Sequence, residues 1–161
     1  MGFAGGDVNT YRYAQNSPIN LFDLSGESTF SEYSIQTRIQ AFVTAAEECL
    51  GKAVFTVIGE VGVYLLFNAN GIPIYPGGDA NVYAGQVGPG KNGLRNFAVR
   101  FSEHVRAGKI FGETKSFAVP EEFIRKNPNA LRTIEQLLMD AFGGKASLAN
   151  IRNASRRLFC Q

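Results

Sequence analysis

The sequence predicts an α/β domain with a small mixed or antiparallel three-stranded sheet flanked by helices. Three observations predict it. Short apolar runs bounded by turn formers recur at 61–67, 82–84 and 111–119, the length and setting of strands. Around them, stretches 28–50, 94–107 and 129–142 carry apolar residues at helical spacing. The chain has 161 residues, enough for one core plus an appendage, and a domain of that size buries roughly 68–70% of its unfolded surface. No disulfide or metal staple is needed for it to fold.

The elements follow in order. Residues 28–50 place Phe30, Tyr33, Ile35, Ile39, Phe42, Val43, Ala46 and Leu50 on a helical stripe that packs on a core, with Gly51 as its stop. Strand 61–67 runs into Asn68-Ala69-Asn70-Gly71, a hairpin turn, and 72–75 continues the hairpin. A second turn at 76–79 leads to a strand through Val82, Tyr83 and Ala84. Residues 88–93 form a glycine-rich loop. Helix 94–107 turns Leu94, Phe97, Ala98, Phe101 and Val105 inward. After strand 111–119, Pro120 or Pro128 opens a helix, since proline is tolerated in a first turn. Helix 129–142 buries Leu131, Ile134, Leu138 and Ala141 and stops at Gly143-Gly144.

Composition narrows the function classes. Hydrophobic residues make up 45% and charged residues 19%, so the chain is globular rather than disordered. No apolar run approaches the ~18–20 residues of a membrane span. The N-terminus lacks the basic-then-apolar layout of a signal peptide, so export is expected as part of something larger. Cys49 and Cys160 are too few for a disulfide framework and lack metal-site spacing, so both are expected as free thiols. Residues 1–92 hold four basic against eight acidic side chains, net −4, whereas 93–161 hold twelve against six, net +6. A basic half suits a polyanionic partner and equally an ordinary solvated surface.

The common catalytic schemes are missing. His104 is the only histidine, which removes multi-histidine metal sites and two-histidine relays. There is no GxSxG elbow and no phosphate-binding G-x-x-x-x-G-K-[ST] loop. What remains is an ordered set. Gly62-Val63-Tyr64 lies in the first strand and Tyr83-Ala84-Gly85 in a later one. Arg100 and His104, four apart, share a helix face. Glu135 sits mid-helix among apolar residues, and Asn150 and Asn153 follow.

Two resemblances carry this further. Residues 2–26, GFAGGDVNTYRYAQNSPINLFDLSG, closely resemble the end of the core of Rhs/YD-repeat proteins, where a β-shell ends and a variable toxin follows. The family carries Asp-Pro-x-Gly where this chain has Asp23-Leu24-Ser25-Gly26. The segments GVY, VYAGQVG, RFSEHV, RTIEQLLMDAFGG and LANIRN, across residues 60–153, resemble in order the GIY-YIG nucleases. Val63 and Ala84 replace the usual isoleucines, and the gap from Tyr64 to Tyr83 is longer than is typical, with the 76–79 turn absorbing it.

The resemblances imply an organisation: 1–26 as the end of an Rhs core, 27–52 as a helical extension and 53–161 as a GIY-YIG-like nuclease domain. They imply that Glu135 holds one Mg²⁺ (or Mn²⁺), that Arg100 grips the scissile phosphate, and that Tyr64 binds or activates the attacking water with Tyr83 beside it. Gly85 would allow close backbone approach, His104 would orient the tyrosines or relay a proton, and Asn150 or Asn153 would position Glu135 or a metal-bound water. Lys91, Arg95, Arg106, Lys109 and Arg152 would contact DNA, joined by Lys115, Arg156 and Arg157 of the basic half. The expected function is an antibacterial DNase exported by a contact-dependent machine, commonly type VI secretion. Its expected partners are the parent Rhs shell and a cognate immunity protein. A ribonuclease on the same fold, and a non-catalytic binding domain at the tip of an Rhs protein, are the alternatives.

Overall fold

The structure is a computed structural model that describes residues 29–90, 95–150 and 154. The Rhs-like segment 2–26 therefore lies outside the described residues.

Helix α1 (Glu32–Leu50) starts at Ser31, whose side chain accepts from Ser34 N–H. It ends at Gly51, where φ is 101°. Ile35, Ile39, Phe42 and Ala46 recur along one face and are buried. They pack on the sheet and on the last helix: the Phe42 ring meets Phe117 at 4.9 Å and the Phe30 ring meets Phe142 at 5.2 Å, both edge to face. Arg38 is buried too. Its guanidinium lies 4.8 Å over the Phe30 ring and donates to Ser34 Oγ and the Ala141 carbonyl.

Strands β1 (Gly62–Phe67), β2 (Val82–Val87) and β3 (Glu113–Ala118) form one antiparallel sheet in the order β2-β1-β3. Central β1 is buried at all six positions, because both faces of the sheet are covered there. Val63, Leu65 and Phe67 join Val82, Ala84 and Phe117 in the larger core, under α1 and helix α4 (Ala130–Ala141). Tyr64 and Leu66 point the other way, into a smaller cluster with Val87, Ile74 and Phe97 of helix α2 (Phe97–Arg106). The alternation is the ordinary two-residue period of a strand.

Both edges of the sheet are partly closed. On β2, Ala149 N–H donates to the Val82 carbonyl, while the Asn150 amide both accepts from Ala84 N–H (3.0 Å) and donates to the Ala84 carbonyl (2.7 Å). On β3, Thr56 N–H donates to the Ala118 carbonyl. Short helix α3 (Glu121–Lys126) follows Pro120, the first of the two prolines expected to open a helix.

Asn81 ties these parts together. It is fully buried, accepts from Phe30 N–H, and donates to the carbonyls of Phe30 and Asn68. Asn81→Ala would strand several buried backbone groups, each costing about 1–3 kcal/mol. The expected loss is about 3 kcal/mol or more in a urea denaturation midpoint experiment, well above the change for a surface asparagine.

Four expectations need correction. Residues 72–75 form no strand. Pro73 has no N–H for a ladder, and bonds from Ile74 N–H to Ala80 O and Gly78 N–H to Tyr75 O fold the segment into turns. The second strand runs past the expected 82–85 to Val87, paired along its length with β1. The buried face of α2 comprises Phe97 and His104, with Phe101 half-buried, while Ala98 and Val105 face solvent. His104 takes an inward place because a buried hydroxyl meets it, as described below. Finally, Cys49 is disulfide-bonded and not a free thiol. The chain's other cysteine, Cys160, lies outside the described residues. No helix among the described residues is long and apolar enough to cross a membrane.

Candidate active site

The site begins where β1 meets β2. Tyr64 is paired with Gly85, and a Cβ on Gly85 would overlap the Cζ and hydroxyl oxygen of Tyr64. Glycine is therefore what lets the tyrosine ring lie across its neighbouring strand. The ring is packed edge to face by Phe101 at 5.2 Å and Phe97 at 6.3 Å, and the residue is fully enclosed.

That enclosure decides the state of its hydroxyl. Burial raises the Tyr64 pKa, and the neighbouring Tyr83 raises it further, so the phenol is neutral. It accepts from Arg100 Nε at 3.3 Å and lies 2.7 Å from His104 Nε2. His104 is 3% exposed, and its pKa falls to about 4 through burial and then the charges of Lys109 and Arg100. A neutral imidazole with Nε2 unprotonated accepts a hydrogen bond from the Tyr64 hydroxyl, while that oxygen accepts from Arg100. The same imidazole meets the half-buried Tyr83 ring at 5.1 Å.

Arg100 is the cation of this cluster. Beyond its bond to Tyr64, Nη1 donates to Glu103 Oε1 at 2.8 Å, and Arg95 lies 3.6 Å from the same oxygen. Arg100 remains 32% exposed at its side chain, so one edge of the guanidinium is open to a ligand.

Glu135 approaches from the other side of β2. It is 8% exposed on α4. Burial pushes its pKa up to about 7, against the opposing pull of a Gln86 hydrogen bond and the Arg100 charge. Gln86 Nε2 donates to Glu135 Oε1 at 2.8 Å. No ion pair links Glu135 to Arg132 among the described residues, and Arg132 is exposed. The charge of Glu135 acts in turn on Tyr64 and Tyr83, raising both pKa values. Tyr64, Tyr83, Arg100, His104 and Glu135 thus form one electrostatically connected cluster around β2.

The donor set bears on a metal. Among the described residues no group of three or more His, Cys, Asp or Glu side chains converges. A single buried carboxylate, oriented through one oxygen by an amide, suits a hard cation that keeps most of its water, such as Mg²⁺ or Mn²⁺. It does not suit a cation that demands four protein ligands.

The remaining expected residues are distributed around this cluster. Asn150 does not touch Glu135; its amide is spent on the β2 backbone at Ala84, between Tyr83 and Gly85. Asn153, Lys91 and Arg152 lie outside the described residues, as do Arg156 and Arg157. Arg106 and Lys115 are exposed, Arg95 pairs with Glu103, and Lys109 is half-buried over two tyrosine rings.

Sequence reasoning did not single out Gln86, Glu103 or Tyr75 as members of this neighbourhood. Gln86 was legible in principle, because strand alternation sends it to the face opposite Tyr83, where Glu135 stands. Glu103, three residues beyond Arg100, had the spacing of a helical ion pair. Tyr75 had no local signal, since its place depends on how the 68–81 connection folds back.

The chain matches no family model, no curated protein and no solved structure.

Proposed function

We propose that this chain is a metal-dependent endonuclease of the GIY-YIG type that cleaves DNA, carried behind an Rhs core segment as an antibacterial toxin. The observation that carries the reading is the convergence of Tyr64, Arg100 and His104 in one hydrogen-bonded group, electrostatically linked to Glu135 across β2. Phosphodiester hydrolysis needs charge neutralisation at the phosphate, a held cation and a positioned water. Arg100 offers its open edge to the phosphate. Glu135 holds the cation, which supplies Lewis acidity and an activated water when bound. Gln86 holds Glu135 Oε1 by its hydrogen bond and so would fix the orientation of the carboxylate.

The two tyrosines divide their work. Tyr64 is enclosed and its hydroxyl is committed to Arg100 and His104, so it positions the arginine. Tyr83 is half-buried and its hydroxyl has no such commitment among the described hydrogen bonds, so it is the tyrosine assigned to the water. Delivery by a contact-dependent machine, commonly type VI secretion, and neutralisation by a cognate immunity protein belong to the same reading. They rest on the likeness of residues 2–26 to the end of an Rhs core.

The test is cleavage of supercoiled plasmid and of total RNA in parallel, with Mg²⁺ and with EDTA. Nicked or linear plasmid with Mg²⁺ alone is the expected outcome. Cleavage of RNA only would change the substrate class, and intact nucleic acids with folded protein would end the nuclease reading.

Glu103 supplies a second prediction. Its carboxylate occupies Arg100 Nη1 and sits beside Arg95, where it competes with a phosphate for the same donors. Glu103→Gln is expected to tighten duplex binding roughly threefold to tenfold at low salt, an effect that fades as screening shortens the reach of the charge. Fluorescence anisotropy in EDTA reads it; weaker binding would mean that Glu103 orients Arg100 for the phosphate.

A further inference from the structure

The cluster does not end at Tyr83. Lys109 Nζ lies 4.9 Å from the Tyr83 ring centroid and 5.1 Å from that of Tyr75, so one ammonium is held by two aromatic faces. Its backbone is fixed as well, because Lys109 N–H donates to the His104 carbonyl at the end of α2. Tyr75 reaches this place from the 68–81 connection, whose fold is pinned by Asn68 donating to the carbonyls of Ile72 and Ile110. The result is a row in which His104, Tyr83, Lys109 and Tyr75 follow one another.

Lys109 differs from the two arginines paired at the site. Arg95 and Arg100 share Glu103. Lys109 has no carboxylate partner among the described residues, yet it is half-buried and close enough to His104 for its charge to depress that imidazole. A fixed, uncompensated cation one aromatic ring away from the catalytic cluster calls for an anion. Aromatic rings hold the ammonium without neutralising it, so its charge stays available to a ligand.

We propose that Tyr75, Tyr83 and Lys109 form a second phosphate subsite, which holds a backbone phosphate of the polynucleotide adjacent to the one cleaved at Arg100 and Glu135. The inference rests on the nuclease reading and adds a ligand to it. The scissile phosphate engages Arg100, and its neighbour along the strand engages Lys109, held between the rings of Tyr75 and Tyr83. Because a phosphate is common to DNA and RNA, the subsite serves either substrate. By fixing a second point on the strand, it sets the direction in which the backbone crosses the sheet.

The experiment uses the full chain and three variants: Lys109→Met, which keeps the aliphatic stem and removes the charge, Lys109→Arg, which keeps the charge, and Tyr75→Leu, which removes one aromatic face. Melting curves confirm that each is folded. Binding of a fluorescent 20-base-pair duplex is followed by anisotropy in EDTA across a salt series, and hydrolysis is measured on that duplex and on bis(p-nitrophenyl) phosphate, which carries one phosphate only. Losing one phosphate contact lowers the slope of log affinity against log salt by about 0.9. The expected result is that drop for Lys109→Met and its recovery in Lys109→Arg, with an intermediate slope for Tyr75→Leu. Duplex hydrolysis should fall at least tenfold more than that of the single-phosphate substrate. An unchanged salt slope in Lys109→Met overturns the proposal, as does an equal loss on both substrates, which would place Lys109 at the scissile phosphate. A wild-type chain that neither binds nor cleaves nucleic acid would instead overturn the nuclease reading beneath it.

Discussion

Replacing Glu135 with alanine is expected to lower Mg²⁺-dependent plasmid cleavage by about a thousandfold or more, on the order of 4 kcal/mol of barrier. The size follows from the donor set. Among the described residues no group of three or more metal-ligating side chains stands there to share the cation, so removing Glu135 removes the one protein ligand the reading assigns to it. The same residue sets a pH dependence. With its pKa near 7, a proton competes with the cation for the carboxylate. Apparent Mn²⁺ affinity, read by electron paramagnetic resonance, should fall about tenfold per pH unit below 7 and level off above it. Flat affinity from pH 5 to 8 would remove Glu135 as the ligand.

Stability should move the opposite way. The folded pKa of Glu135, about 7, lies above the ordinary value of 4.5. Its contribution is therefore fully present below pH 4.5 and is lost as the pH rises towards 7, because the unfolded chain ionises first. Glu135→Gln, which keeps an acceptor for Gln86 and removes the buried charge, is expected to be about 2–3 kcal/mol more stable than wild type at pH 8 and nearly equal to it at pH 4. On the proposed reading the buried carboxylate is kept at a cost in stability, the usual opposition between a working site and a comfortable one.

The second large effect belongs to Gly85→Ala. Adding one methyl group places a carbon against the Tyr64 Cζ and hydroxyl oxygen. The ring has no room to retreat, since Phe97, Phe101 and His104 enclose it. Overpacking of this kind costs about 1–3 kcal/mol of stability. The catalytic cost should be larger. The hydroxyl must leave its 2.7 Å contact with His104 and its 3.3 Å contact with Arg100, and a displacement of about 1 Å in a positioned group costs roughly a hundredfold in rate. A folded Gly85→Ala protein that cleaves plasmid at the wild-type rate would show that the Tyr64–Arg100–His104 geometry is dispensable.

The sheet and helices were largely legible because their signals are local. Val61 to Phe67 is an unbroken apolar run between turn formers, and it became the fully buried central strand. Gly51 and Gly143 marked helix ends through the positive φ that only glycine adopts easily. Errors arose where a distant partner decides. Pro73 broke the expected hairpin extension, and His104 displaced Val105 from the inner face of α2 because the hydroxyl that satisfies it comes from Tyr64, forty residues earlier. Asn150, one of two asparagines expected to position Glu135 or a metal-bound water, clamps Ala84, a contact that an asparagine near a motif does not announce.

The Asn150 clamp also orders events in time. Ribosomes deliver Tyr64 and Tyr83 early, Arg100 and His104 next, Glu135 late, and the asparagine that secures Ala84 later still. A half-made chain holds the tyrosines but neither the carboxylate nor the brace on the strand between them. On the toxin reading proposed above, that order is a safeguard written into the direction of synthesis: the tyrosines, the arginine and the histidine appear before the carboxylate and before the brace on Ala84.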